Sequence, residues 1–466
     1  MSLIALLFSC ERDFSFRGDS HGVRFSTDTL TFDTIFTSFG SVTKNFRVYN
    51  PYDDDLTIEM ISLMGGENSN FRININGYQQ SELMDVKIRS HDSLYIFVEV
   101  TIDPGGINTP FIVSDSLLFQ TAEREQFIQL IAYGQDVVKL ERVVLDTLRF
   151  TKDKPYLIYD YVIIDSLKEL TIEPGARLYF HNDASMLVFG SLIANGTLDE
   201  PIVFEGDRLE SDYQTIPGQW GFIHFFPGSK NNLLNHTVIK NGIMGIRVDS
   251  VGVGQDPPMI ISNSSFEHIS SIGLLAENSG IQVTNSLFAD CGTHSIALTI
   301  GGSYEFYHCT IARGVNWGHR STTPAVLLNN YYMDDNNNVL ITPLQKATFG
   351  NCIIYGRNSV ELGLDLKKIE GDNTDHGAHY YFDHCLIKTG YNLSVSDPEH
   401  FNNIITNEDP SFIDWEEYNY ELDTLSVAKD AGSLEYANIV PYDYLNVSRL
   451  DDDAPDLGMY ERVEEE

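Results

Sequence analysis

The chain has 466 residues, 42% apolar and 21% charged, a folded-protein composition too long for one ordinary globular domain. Its 67 acidic residues outnumber 30 basic ones, for a formal charge of −37. A surface so negative repels phosphate backbones and anionic bilayers, which argues against nucleic acid as a partner. The charge is read first as solubility, with cation binding the sharper alternative.

Cysteines stand at 10, 291, 309, 352 and 385 with no CxxC spacing, which leaves zinc and thioredoxin-like chemistry unsupported. In chain order the first of them follows a short apolar run. Leu7-Phe8-Ser9-Cys10 resembles the lipobox of bacterial lipoproteins, although no Lys or Arg precedes it. The resemblance implies lipidation at Cys10, export, and anchorage at the outer membrane or cell surface of a Gram-negative bacterium. No other segment approaches the ~20 apolar residues that span a bilayer as a helix. Residues 1–23 are therefore read as signal remnant and tether.

From 24 to 138 short alternating strands are separated by turns such as Asn50-Pro51-Tyr52-Asp53 and Asp103-Pro104-Gly105-Gly106. The pattern predicts a β-sandwich. Phe46-Arg47-Val48-Tyr49-Asn50, Phe71-Arg72-Ile73-Asn74 and Ala132-Tyr133-Gly134-Gln135 resemble the immunoglobulin-like domains that precede β-helices in surface lipoproteins. The resemblance implies a spacer or adhesive module.

Residues 139–411 carry a repeat. Asn235-His236-Thr237-Val238, Asn263-Ser264-Ser265-Phe266, Asn285-Ser286-Leu287-Phe288 and His308-Cys309-Thr310-Ile311 start at intervals of 28, 22 and 23 residues, and copies follow at Asn351 and His384. One such unit cannot bury its own apolar face, so a solenoid is predicted. Leu170-Thr171-Ile172-Glu173-Pro174-Gly175-Ala176 and the strands after it resemble the opening coils of right-handed parallel β-helices of the pectin-lyase-like superfamily. Gly175, Gly190 and Gly196 are expected at corners that need unrestricted φ. Asn235, Asn263, Asn285 and Asn351 are expected to stack as an amide ladder at one corner. Cys309, Cys352 and Cys385 are expected as small buried residues stacked coil on coil. The tail, 412–466, resembles the closing segment of secreted β-helix proteins and is expected to cap the open end. The fold class is thus all-β: an immunoglobulin-like sandwich, a right-handed single-stranded parallel β-helix and a C-terminal cap.

Insertions at 206–218, 251–258, 313–346 and 361–379 break the repeat and are the expected seat of function. Trp317, Tyr331, Tyr332, Tyr380 and Tyr381 lie in or beside the two largest, where exposed rings would stack on sugars. Polysaccharide cleavage, which the resemblance also implies, needs a base beside a neutralised carboxylate. Its candidates are Asp334, Asp335 and Arg320, with Asp334 and Asp335 also the cation candidates; no cofactor is expected, with Ca²⁺ at those two residues the alternative. His376, His379, Asp383 and His384 form the densest metal-ligand group, but His384 occupies a repeat corner and is read as structural. Gly371-Asp372-Asn373-Thr374-Asp375-His376-Gly377 packs fragments of hydrolase motifs into one loop and is read as chance. The expectation is a non-catalytic, lipid-anchored surface protein that binds glycan or a partner protein through its insertions. The alternatives are a divergent polysaccharide lyase or glycoside hydrolase acting on acidic glycans, and a structural envelope protein.

Overall fold

The computed structural model describes residues 22–106, 108–146, 148–252, 254, 258–313, 322–368, 377–390, 393–451 and 454–463. The chain divides into two compact units, Met1–Asp136 and Val137–Glu466. Cys10 lies outside the described residues.

The first unit has ten strands: β1 (Arg24–Phe25), β2 (Thr29–Phe36), β3 (Lys44–Tyr49), β4 (Leu56–Leu63), β5 (Phe71–Ile75), β6 (Tyr78–Gln79), β7 (Glu82–Ile88), β8 (Ser93–Val100), β9 (Phe111–Gln120) and β10 (Glu125–Gln135). They form two five-stranded sheets, β1-β3-β8-β5-β6 and β2-β10-β9-β4-β7. All pairings are antiparallel except β2 on β10, where Leu30 stands opposite Leu130. Alternation sends Phe46, Val48, Ile96 and Val98 inward from one sheet and Ile61, Leu63, Phe119 and Leu130 from the other, into one core. Phe46 meets Phe119 edge-on across that core at 6.2 Å.

The second unit is one continuous sheet of 26 strands, nearly all paired in parallel with the strand one coil away. Each full coil supplies three strands, so the cylinder has three faces. The first includes Ser185–Val188, Ile223–Phe225, Ile246–Asp249, Val326–Asn329 and Leu362–Asp365. The second includes Ser191–Asn195, Leu233–Asn235, Met259–Ser262, Leu344–Gly350 and Tyr381–Asp383. The third includes Ile202–Gly206, Thr237–Lys240, Ser265–Ile269, Leu287–Cys291, Thr310–Arg313, Ile353–Gly356 and Leu386–Ile387. This is a parallel β-helix.

In-register stacking fills its interior. Phe306, Phe349 and Phe382 stack coil on coil at 4.6 and 4.7 Å with rings within 10° of parallel, the spacing of adjacent strands. Cys309, Cys352 and Cys385 are fully buried beside them, and burial together with the neighbouring thiols drives the Cys352 pKa well above its ordinary value. These thiols share one position with Thr237, Ser264 and Ser286. The hydroxyls of Ser264 and Ser286 each donate to the carbonyl two residues back at 2.7 Å, and each cysteine Sγ approaches the equivalent carbonyl at 3.3–3.5 Å. A small side chain that satisfies this carbonyl is what the coil requires.

The corner before that position is left-handed in every coil of the repeat: His236, Asn263, Asn285, His308, Asn351, His384 and Asn403 have φ between 43° and 53°. Asn235 stands one residue before this corner, although its side chain takes part in the ladder. It pairs with Ser262, and Val238 pairs with Ser265, which sets His236 opposite Asn263. The ladder is amide to amide between Asn285 and Asn263 (3.1 Å), Asn263 and Asn235 (2.8 Å) and Asn235 and Asn195 (2.9 Å), and amide to imidazole between Asn351 and His308 (3.0 Å) and between Asn403 and His384 (3.1 Å). Gly175 has φ +77° as expected, whereas Gly190 is required for another reason: a Cβ there would strike the Lys168 carbonyl of the preceding coil.

The described parts of the closing segment pack against the side of the cylinder. They run back along the outside of the third face, where Tyr420, Met459, Leu457 and Leu422 cover Leu287, Ala289, Ile353 and Leu386. Met459 N–H donates to Thr310 Oγ1 at 3.1 Å, Gly458 N–H to the Asn351 carbonyl at 2.8 Å and the Tyr436 hydroxyl to Asp383 at 3.1 Å. Arg449, fully buried, bonds Glu461 at 2.9 Å and the corner residue Asn285 at 3.1 Å.

Candidate functional site

The two largest breaks in the repeat contain more cylinder than expected. Within 313–346 lies the first-face strand Val326–Asn329, with Ala325, Val326 and Leu328 buried, and within 361–379 lies Leu362–Asp365, paired with it. Outside the coil ladder are the hairpin of Tyr331–Met333 on Val339–Ile341 and the residues 366–368 that follow Asp365.

One side chain joins them. Asn330 is fully buried, its Nδ2 donates to the carbonyls of Lys367 (3.0 Å) and Gly377 (2.9 Å), and its Oδ1 accepts Lys367 N–H (2.8 Å). Its own carbonyl accepts Thr342 N–H across the hairpin base at 2.8 Å. This clamp brings Tyr331 to Asp365, to which its hydroxyl donates at 2.8 Å, while Asn329 Nδ2 donates to the same oxygen at 3.2 Å. Lys367 Nζ stands 5.1 Å from the centre of the Tyr331 ring, within cation–π reach. The bond to Asp365 raises the Tyr331 phenol pKa. At the tip Tyr332 is 43% exposed and Met333 60%, beside exposed Val339 and Leu340. The cluster offers an aromatic face, an ammonium, a carboxylate and an exposed ring, the ingredients of recognition by stacking and polar orientation.

The remaining predicted residues fall elsewhere. Tyr380 stacks on His400 at 3.9 Å and packs edge-on against Phe382 and Phe401, so it holds its loop to the core and is not a platform. Tyr381 is half-buried in the second face, paired with Thr348. Asp334 Oδ1 accepts N–H from Asn336 (2.9 Å) and Asn338 (2.8 Å), and Oδ2 accepts Asn338 Nδ2 (2.9 Å). These bonds, that of the Asn338 side chain foremost, hold its pKa below the usual value. Asp334 is therefore a turn cap, which corrects its candidacy as base or cation ligand. Asp335 is exposed in the same turn, and no cluster of three His, Cys, Asp or Glu suited to a metal occurs among the described residues. Asp383 accepts from Asn402 and Tyr436 and contacts the His384 ring, a structural role. Lys346 pairs with Glu305 at the rim of a shallow depression of about 250 Å³. Trp317, Arg320 and His376 lie outside the described residues.

A second surface was missed by the sequence reading. On the outside of the first face Phe189 stacks on Phe226 at 4.2 Å, and His224 on Phe226 at 3.7 Å. The next coil sets Arg247 against His224, where Arg247 pairs with Glu277 at 2.7 Å. Burial first, then Arg247, lowers the His224 pKa. The signal was the alternation Phe222-x-His224-x-Phe226, which marks outward positions as plainly as the intervening Ile223 and Phe225 mark inward ones.

Comparison with known proteins bears on the fold. Residues 221–387 match the family model described as right handed beta helix region. That match agrees with the parallel coils of the second unit. No curated protein matches the chain. Among solved structures, PapD-like domain 7 of human CEP192 is 11% identical, with 29% of this chain and 96% of that one covered and a TM-score of 0.18. A family 123 glycoside hydrolase from Clostridium perfringens is 8% identical over 25% of this chain, at a TM-score of 0.18. A Porphyromonas gingivalis W83 protein of unknown function is 8% identical over 27% of this chain, at 0.19. The chain spans about a quarter of the length of the Clostridium enzyme (26%) and 59% of the Porphyromonas protein. At such TM-scores these likenesses carry no argument.

Proposed function

We propose that the chain is an exported surface protein, lipidated at Cys10, whose first unit serves as an immunoglobulin-like spacer and whose β-helix binds a glycan at the hairpin. The observation that carries this reading is the Asn330 clamp, which sets Tyr331, Asp365 and Lys367 together beside the exposed Tyr332. A ring for the apolar face of a sugar and fixed polar groups for its hydroxyls are what such binding needs. The cleavage reading is weaker, because Asp334 is held by its own turn.

The test is a glycan array probed with the full chain, followed by titration of the strongest ligand. Tyr332→Ala and Lys367→Ala are each expected to weaken binding by about tenfold, or ~1.4 kcal/mol. A chain that retains no glycan, or variants that bind like the parent, would overturn the reading.

A further inference from the structure

The outward face of the sandwich sheet β1-β3-β8-β5-β6 has a chemistry of its own. Tyr95 and Phe97 stand two residues apart on β8, so both leave the sheet on the solvent side, opposite to the buried Ile96 and Val98. They are 40% and 41% exposed, with ring centres 6.3 Å apart and planes within 21° of parallel. Arg47 on β3 is directly opposite Tyr95, and its guanidinium carbon lies 4.8 Å from the centre of that ring. Phe97 is paired with Asn45 on one side and Asn74 on the other, and Asn74 with Gln79. A row of amide, phenyl, amide and amide therefore crosses four strands beside the arginine-stacked phenol.

We infer that this face is a binding platform for a saccharide that carries a carboxylate, separate from the hairpin on the β-helix. The near-parallel rings suit the C–H faces of a sugar. The flanking amides supply donors and acceptors for hydroxyls, and Asn74 leaves its Nδ2 for that purpose because its Oδ1 holds Gly77 N–H at 2.9 Å. Charge complementarity selects the acid. In a chain of net charge −37, Arg47 makes no ion pair among the described residues, and its fork, held against Tyr95, matches a carboxylate. Arg72 on β5 is different, since its Nη1 is bonded to backbone carbonyls of Ser69 and Phe71. An apolar peptide would cover the same rings but leave the amide row without partners.

The experiment is calorimetric titration of the full chain carrying Tyr332→Ala and Lys367→Ala, so that the hairpin does not contribute. The ligands are a glucuronate-containing oligosaccharide and its carboxyl-reduced counterpart. The acidic ligand is expected to bind at least about tenfold more tightly than the reduced one, with an affinity that falls as salt rises. Adding Phe97→Ala should weaken both ligands, whereas adding Arg47→Gln should weaken the acidic ligand alone, to the level of the reduced one. Tyr95→Ala serves as the second ring variant, and circular dichroism checks that each variant stays folded. Absence of binding to the acidic oligosaccharide, undiminished binding with both rings removed, or an equal loss of both ligands on Arg47→Gln would each overturn the inference.

Discussion

His268 lies on the third face beneath the tail, 6% exposed in its side chain, with an Nδ1 that has no hydrogen-bond partner among the described residues. Tyr418 meets its ring edge-on at 4.5 Å, and Asp290, which accepts the Tyr420 hydroxyl at 3.1 Å, is 3.9 Å away. Burial, aided by the charge of Lys240, pushes the imidazole pKa from 6.5 to about 4. The folded chain holds this histidine neutral, so its contribution to stability is complete above about pH 6.5. It is lost as pH falls toward about 4, because the unfolded chain takes up the proton first. His268→Gln should therefore lose about 2–3 kcal/mol less than the parent between pH 7 and 4.5, measured by urea unfolding at both values. An equal loss in both chains would show that other groups govern acid sensitivity. At this scale the sequence was a partial guide. The repeat of Asn, Ser and Cys was legible, but its alignment slipped by one residue at Asn235, because His236 adopts the left-handed corner that asparagine adopts elsewhere. Identity of residue type suggested the alignment, whereas hydrogen-bond register decides it.

Among the elements, the placement of the tail and of the hairpin is the least legible in the sequence, for one physical reason. Both are polar-rich stretches whose place is set by side chains distant in sequence. Tyr420 and Met459 pack on the third face where Leu287, Ala289 and Ala312 leave it apolar. Similarly, Val326–Asn329 reads as loop when taken between its polar neighbours, yet it alternates buried and half-buried residues and pairs on both sides. The candidate site was half legible. Tyr331 and Tyr332 were found from their position in an insertion, but Asp365 and the Asn330 clamp depend on a register that no local pattern reveals. The tail's attachment is testable at Leu457, 1% exposed against the third face. Leu457→Ala should cost about 2–5 kcal/mol, and cleavage within 409–463 by a trace of protease should accelerate while the coil strands stay protected. Uniform cleavage of tail and coils would mean that the two unfold together.

On the scale of the molecule, two units of unlike construction share one chain. The sandwich closes around a single core, whereas the β-helix is extended by repetition, each coil answering only to its neighbours. In such an array the number of coils is free to vary unless something measures it. The tail does. Its anchors fall at Asn285, Asp290, Thr310, Asn351 and Asp383, on successive coils, so it acts as a ruler laid along them. Removing 178–203, which sets Phe204 in the place of its partner Leu178, should leave the tail as resistant to protease as before. Removing 287–309, which sets Thr310 in the place of Leu287, should release it, since the marks no longer meet the coils. Release by both deletions, or by neither, would refute the ruler. The outcome expected from the two deletions is a cylinder whose length is adjustable at its start and gauged where the tail lies.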